Sequence, residues 1–163
     1  MAAIEIHPIG IISTPYQKAE DMPIQPGGAA ETAGVITIDE AYAEGLADIE
    51  GFSHIILIYL FHRSRGFELR VKPFLDDQLR GLFATRAPRR PNPVGLSVVS
   101  LVRREANILH VRNIDVLDGT PLIDLKPYVP SFDAPRVTAT GWLEGKQGVE
   151  KTLRSDDRFS RPR

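Results

Sequence analysis

Cysteine is absent from the chain, so no disulfide framework, thiolate metal site or cysteine nucleophile can be built from it. Long hydrophobic runs are missing too. The longest unbroken apolar stretch, Ile55 to Phe61, is seven residues, far short of the roughly 18–20 that a membrane-spanning helix needs. Neither sign of charge dominates: 20 Lys and Arg face 21 Asp and Glu, a formal net charge of -1. That balance removes a global basic field for nucleic acid, and with ordinary hydrophobicity it also removes the composition of a disordered chain. The opening residues MAAIEIHPIG have no basic flank and no apolar run, so no secretory leader is expected and a cytoplasmic protein is. Nucleotide fingerprints are missing as well. Gly141, Gly145 and Gly148 have the wrong spacing for G-x-G-x-x-G and follow the last expected strand, and no G-x-x-x-x-G-K-[ST] occurs. His7, His54, His62 and His110 are scattered without metal-ligand spacing, so no metal is expected. A G-x-S-x-G nucleophile elbow is not present either.

Proline and glycine, by contrast, are plentiful, with 13 of each in 163 residues. Many short elements separated by sharp corners produce such a count, and the length suits a single domain. Ile4 to His7 alternates like a strand, and Ile9, Ile11 and Ile12 extend it. Residues 17–34 read as a long loop, broken at Pro23, Pro26, Gly27 and Gly28. Val35 to Ile38 is a short β run. A helix is expected after Asp39 as its cap, with Tyr42, Leu46 and Ile49 on one face and Gly51 as its stop. Phe52 to Phe61 is the strongest strand, with no polar face, so it is expected to be buried on both sides or to line a closed barrel. Phe67 to Lys72 and Gly81 to Thr85 are further candidate strands. Leu96 to Arg103 and Ile108 to Ile114 form an expected hairpin around Glu105-Ala106-Asn107. Leu122 to Leu125 and Arg136 to Leu143 complete the set. Residues 1–143 are therefore expected to form one mostly-β unit, a small barrel with a short inserted helix, followed by a polar tail over 144–163.

Three segments carry chemistry. Arg86, Arg89 and Arg90 stand among prolines that pre-set the backbone, so their forks suit a carboxylate or phosphate. A solvated basic turn explains the same residues. Leu117-Asp118-Gly119-Thr120 offers a carboxylate and backbone groups on a tight turn, or merely shapes a corner. Asp124 sits in an apolar strand, where a carboxylate should be paired, with Lys126 the available partner, or else catalytic. Phe61-His62-Arg63 puts charge at the end of the most apolar strand, as a ligand contact or a surface cap.

At these residues the sequence resembles the TrmO family, also described as TsaA-like. Gly51-Phe52-Ser53-His54, Phe61-His62, Phe83-Ala84-Thr85-Arg86, Arg90-Pro91-Asn92-Pro93-Val94-Gly95-Leu96-Ser97, Asp115-Val116-Leu117-Asp118-Gly119-Thr120-Pro121 and Asp124 to Tyr128 carry the resemblance, in one order over roughly residues 5–143. It implies a non-Rossmann β-barrel methyltransferase that uses S-adenosylmethionine, works as a homodimer with the cofactor near the subunit interface, and methylates the N6 of a threonylcarbamoyl-adenosine beside the tRNA anticodon. By the same resemblance Pro23, Ile24 and Gln25 form the first cofactor segment, His62 and Arg63 the second, and Arg86 and Leu96 flank the proline-rich loop as further contacts. Leu117, Asp118, Gly119 and Thr120 are the last segment.

The resemblance also implies that longer bacterial relatives continue past the region of Trp142 into a further C-terminal region, which bears on the tRNA substrate and how it is gripped rather than on the cofactor site. A delocalised adenine N6 is a weak nucleophile, so a proton acceptor would assist methyl transfer, and Asp124 and Tyr128 are the candidates. Arg89 and Arg90, with Arg63, Arg65, Arg70 and Lys72, are candidate contacts to RNA phosphates. The alternatives are a cofactor-binding sensor without transfer, and a methyltransferase acting on another substrate.

Overall fold

A computed structural model describes residues 3–19, 22 and 31–145. Its centre is a closed six-stranded barrel of β1 (Gly10–Ser13), β2 (Ala33–Ile38), β7 (Ile108–Arg112), β6 (Val94–Glu105), β3 (His54–Leu60) and β8 (Thr120–Pro127), neighbours in that order. Every neighbouring pair is antiparallel. A separate ribbon joins β4 (Arg70–Val71) to β5 (Arg80–Gly81). The mostly-β barrel expected from the sequence is what the chain builds.

Period-two alternation explains the core. Ile55, Leu57 and Tyr59 of β3 point inward and meet Ile12, Ile36, Val99, Leu109, Val111 and Leu122 from the other walls. Full burial of each aliphatic side chain contributes roughly 1.5–3 kcal/mol. The outward set on β3, Ile56, Ile58 and Leu60, is only half-buried. The unbroken apolar run thus lines a closed barrel, the second of the two alternatives its pattern allowed. The β6–β7 hairpin turns at Ala106 and Asn107, with Ala106 at φ +53.

Four expected elements differ. The helix after Asp39 is a 3-10 helix over Glu40–Leu46, followed by a second over Ile49–Gly51, and Asp39 makes no side-chain cap bond. Leu46 and Ile49 are buried on either side of the break between the two helices, where Asp48 takes φ +65, whereas Tyr42 is exposed. Ile4 to His7 forms no strand, because β1 begins only at Gly10, where it finds partners on both sides. Gly81 to Thr85 leaves its strand at once and coils over Leu82–Ala84, where Thr85 Oγ1 donates back to Leu82 O at 2.8 Å. Arg136 to Leu143 contains a short 3-10 turn, Gly141–Leu143, and no strand. A closed barrel leaves no free edge for it to join. The tail from 146 onward lies outside the described residues.

Antiparallel pairing has one consequence for function. The ends of β1, β3 and β7 and the starts of β2, β6 and β8 lie at one mouth of the barrel. The β1–β2, β3–β6 and β7–β8 connections all open there, and these carry nearly all the motifs singled out above. The opposite mouth holds the 3-10 segment and the Ala106 turn.

Candidate functional site at one barrel mouth

Strand β3 delivers His62 and Arg63 to this mouth, and the β7–β8 connection delivers Leu117 to Thr120 beside them. Gly119 adopts φ +72, the left-handed region open to glycine, and so turns the chain between Asp118 and buried Thr120. Thr120 Oγ1 donates to Leu117 O at 2.7 Å and lies 3.4 Å from His62 Nδ1. The hydroxyl has spent its proton on Leu117, so the histidine contact runs from Nδ1–H to Oγ1. His62 Nε2 is thereby left as an acceptor. Burial, and then the neighbouring Arg63 charge, hold His62 below its ordinary pKa, which keeps it neutral at pH 7.

Asp118 is held on several sides. Thr14 N–H donates to Oδ1 at 3.0 Å and Gln17 Nε2 to Oδ2 at 3.1 Å. The Thr14 amide first, and then Gln17, lower its pKa, so the carboxylate is firmly ionised. Arg63 Nη1 donates to Gln17 O at 3.0 Å, which ties the second motif to the β1–β2 connection. Thr14 Oγ1 donates to Val116 O at 2.8 Å, and Asp118 N donates to Tyr16 O at 2.8 Å.

Beneath this layer a buried chain enters the barrel. Tyr59 Oη lies 3.0 Å from Ser97 Oγ, and Ser97 donates to Asp115 Oδ1 at 2.6 Å. Ser97 has one proton and gives it to the carboxylate, so Tyr59 donates to Ser97. Burial raises the Tyr59 phenol and pushes Asp115 up to about 6, while Arg86 opposes both shifts. The Arg86 guanidinium therefore lies within electrostatic reach of this chain. Leu96, 51% exposed, faces outward near the start of β6.

The fold thus gathers His62, Arg63, Arg86, Leu117, Asp118, Gly119 and Thr120 at one mouth, with Leu96 on the wall below. Pro23, Ile24 and Gln25 lie outside the described residues. Asp124 and Tyr128 are not in this cluster within one chain. Asp124 faces outward from β8 opposite Ile58 and pairs with Lys126 at 2.7 Å, both side chains about half exposed. Tyr128 is at the other mouth, its ring edge-on to His54 with centroids 6.4 Å apart. Arg90 turns inward on its own loop, donating to Thr85 O at 3.0 Å and stacking on Phe83 at 5.6 Å. Lys72 pairs with Asp77, and Arg70 donates to Leu79 O. Sequence reasoning missed Thr14, Tyr59, Ser97 and Asp115. A phenol inside an otherwise aliphatic strand was the available signal, since a buried hydroxyl needs a partner.

Among the described residues no cluster of three His, Asp or Glu could hold a metal ion, and no helix is long and apolar enough to cross a membrane. Residues 11–134 match the family model of the tRNA-methyltransferase O N-terminal domain. A probable S-adenosyl-L-methionine-binding protein of Pyrococcus abyssi is 51% identical over 93% of this chain and 83% of its own length. The tRNA (adenine(37)-N6)-methyltransferase of Escherichia coli is 35% identical, over 94% of this chain and 69% of its own. A crystal structure of TrmO from Pseudomonas aeruginosa superposes with a TM-score of 0.73 at 36% identity, covering 86% of this chain. The match spans 63% of that longer chain.

Proposed function

The chain belongs to the TrmO family, and from that membership and the barrel-mouth cluster we propose that it is an S-adenosylmethionine-dependent tRNA methyltransferase acting on the N6 of adenine 37. The residues at the mouth fit the cofactor's chemistry. Arg63 and Arg86 offer guanidiniums to a carboxylate, ionised Asp118 offers acceptors to ribose hydroxyls, and Leu96 and Leu117 offer apolar surface to a base. Ionised Asp118, locked between Thr14 and Gln17 beside Arg63, is the observation that carries the assignment. Pro23, Ile24 and Gln25 belong to the same proposed site.

S-adenosylmethionine brings a methyl group on a cationic sulfur that needs no metal to activate it. The chain's part is to hold donor and acceptor in line and to keep water out. Neutral His62, with Nε2 as acceptor, can hold a ligand N–H or O–H at the mouth. The finer substrate is a threonylcarbamoyl-adenosine, and the unit responsible is the barrel over residues 1–143. The site of action would be the cytoplasm, where tRNA is modified. We further propose a homodimer formed on the outer wall where exposed Leu96 and Val94 adjoin half-buried Ile58 and Leu60. Asp124 faces outward on that same wall, so packing of a second copy is what would bring it to a site as proton acceptor. Tyr128 is retained as the alternative acceptor. A particle of about 18 kDa by light scattering would count against the dimer.

Nucleosides from tRNA of cells with and without the gene, compared by mass spectrometry, test the proposal. Loss of the N6-methylated threonylcarbamoyl-adenosine in the deletion is expected, and an unchanged peak removes the tRNA substrate. A second reading, cofactor binding without transfer, is favoured by the Pyrococcus relative, which is described as a probable S-adenosyl-L-methionine-binding protein. Calorimetric binding of S-adenosylmethionine together with an unchanged nucleoside profile would select it.

A further inference from the structure

We propose that the β3–β6 connection is a docking platform for single-stranded RNA, on which Phe83 stacks a base of the substrate's unpaired loop beside the barrel mouth. The inference rests on reading the chain as a tRNA methyltransferase, and it names the surface that grips the RNA.

Charge is segregated along the chain. The connection spans residues 61–93 and holds eight Lys and Arg against three Asp and Glu, whereas the remainder holds 12 against 18. A protein of net charge -1 thus concentrates an excess of five positive charges in one excursion from its barrel. Asp76 pairs with Arg80 at 2.6 Å and Asp77 with Lys72 at 3.1 Å. Arg70 and Arg90 donate instead to the carbonyl oxygens of Leu79 and Thr85, which orient a guanidinium without neutralising it. Such cations suit a phosphate backbone.

The excursion is also built rather than loose. Val71, Leu82 and Ala87 form a small buried core of its own beneath the β4–β5 ribbon. Leu82 N–H donates to Leu69 O at 3.0 Å. Its neck is closed by Phe61 N–H to Pro93 O at 2.8 Å and by Ser64 Oγ to Pro88 O at 3.1 Å. That neck carries His62 and Arg63, so a nucleotide next to one held on the platform lies at the barrel mouth.

Apolar groups are exposed on this same element. Phe67, Leu69, Leu79 and Phe83 each show more than half of their surface to solvent. Single exposed apolar residues are ordinary, but four on so small an element form a patch. Phe83 is 74% exposed beside buried Leu82, and the Arg90 guanidinium lies 5.6 Å from its ring centre. Trp142 has Arg80 at 5.8 Å and donates its indole N–H to Ala84 O, the residue after Phe83. Aromatic rings coupled to guanidiniums offer stacking surface for flat bases, and the neighbouring cations meet the phosphates between them. Stacking of this kind needs unpaired bases, which selects a loop over a duplex. An acidic protein would match the charge and leave the aromatic–arginine pairs without a use.

The test is fluorescence anisotropy with two labelled probes, an anticodon stem–loop RNA and a fully double-stranded RNA of equal length, over a range of salt concentrations. Phe83→Ala should bind the stem–loop about tenfold more weakly, the scale of one lost base–aromatic stack. Its affinity for the duplex and the salt dependence of stem–loop binding should not change, and Phe83→Trp should bind as the wild type does. Arg70→Gln should lower the salt slope by about 0.7, the share of one phosphate on a single strand. Leu79→Glu, which sets a carboxylate on the ribbon away from Phe83, should also weaken stem–loop binding and decides if Phe83→Ala does not fold. Calorimetry should find S-adenosylmethionine bound as tightly by Phe83→Ala and Leu79→Glu as by the wild type. Wild-type stem–loop affinity in both variants overturns the platform and leaves the tRNA reading standing. If both variants also become monomers by light scattering, the face belongs to a second copy of this chain. Equal losses on stem–loop and duplex overturn the stacking role, and joint loss of RNA and cofactor binding places the effect in the fold and overturns the proposal. A wild type with no affinity for either RNA removes the tRNA reading itself, and this proposal with it.

Discussion

Gly95→Ala is expected to lower stability by about 3 kcal/mol, the upper part of the usual range for overpacking a tight core. In a chain of this length that is a fall in melting temperature on the order of 10 °C. Gly95 faces inward on β6 opposite Tyr59. A β-carbon there would collide with Tyr59 Cε2, lie 2.5 Å from Cζ of the same ring and sit 2.9 Å from Phe61 Cζ. Neither ring moves cheaply: the two stack edge-on with centroids 5.5 Å apart, and the Tyr59 hydroxyl is fixed on Ser97. Gly45→Ala is the control, because nothing lies within 4 Å of its added β-carbon. A Tyr59→Leu background should recover much of the Gly95→Ala loss, since it removes the struck ring atoms. Thermal melts of the four proteins decide the matter. If Gly95→Ala melts with the wild type, the ring is not confined as the geometry requires.

Asp118→Ala is expected to weaken S-adenosylmethionine binding about 100-fold, the scale of losing two charge-assisted hydrogen bonds to ligand hydroxyls. The carboxylate is already anchored by Thr14 and Gln17, so its free lone pairs are aimed before any ligand arrives. Asp118→Asn separates charge from shape. Its amide oxygen can still accept from Thr14, while its NH2 would face the Gln17 donor. An intermediate loss is expected for it. Because this carboxyl's pKa is lowered, its contribution is present above the usual carboxylate range and is lost only as pH falls through its depressed folded value. Binding should consequently show no Asp118 step between pH 5 and pH 8. Calorimetry on both variants checks this, and an Asp118→Ala affinity within threefold of wild type would remove Asp118 from the ligand site.

Much of the architecture could be read from residue order, for reasons visible in particular elements. Ile55 to Phe61 has no polar face because its inner side fills a barrel and its outer side is half-covered. Asp118-Gly119 announced a turn, and Gly119 indeed takes the left-handed conformation. What eluded sequence reasoning depends on long-range register. The β8 strand shifts register between Ile58 and Tyr59 of its neighbour, which sets Asp124 outward opposite Ile58. No local pattern encodes that shift, and the carboxylate's partner proved to be Lys126, the ordinary alternative. The Tyr59–Ser97–Asp115 chain joins three elements far apart in sequence, so only the folded barrel shows it. Arg136 to Leu143 has the residue types of a strand, but closure leaves the barrel no edge for it to join.

The seam between β1 and β8 brings together the first and last strands of the barrel. It has three paired positions, Gly10 with Leu122, Ile11 with Pro121 and Ile12 with Thr120, and proline brings no amide proton to it. Pairing across so long a chain separation is costly in loop entropy, which makes this the natural last step of folding. Asp118 and Thr14, joined by a hydrogen bond, sit just beyond that seam like a clasp. The two halves of the clasp meet only once the cylinder is shut. A molecule that engages Asp118 in that arrangement therefore binds only the shut barrel, so its binding is linked to the final zipping step and stabilises it.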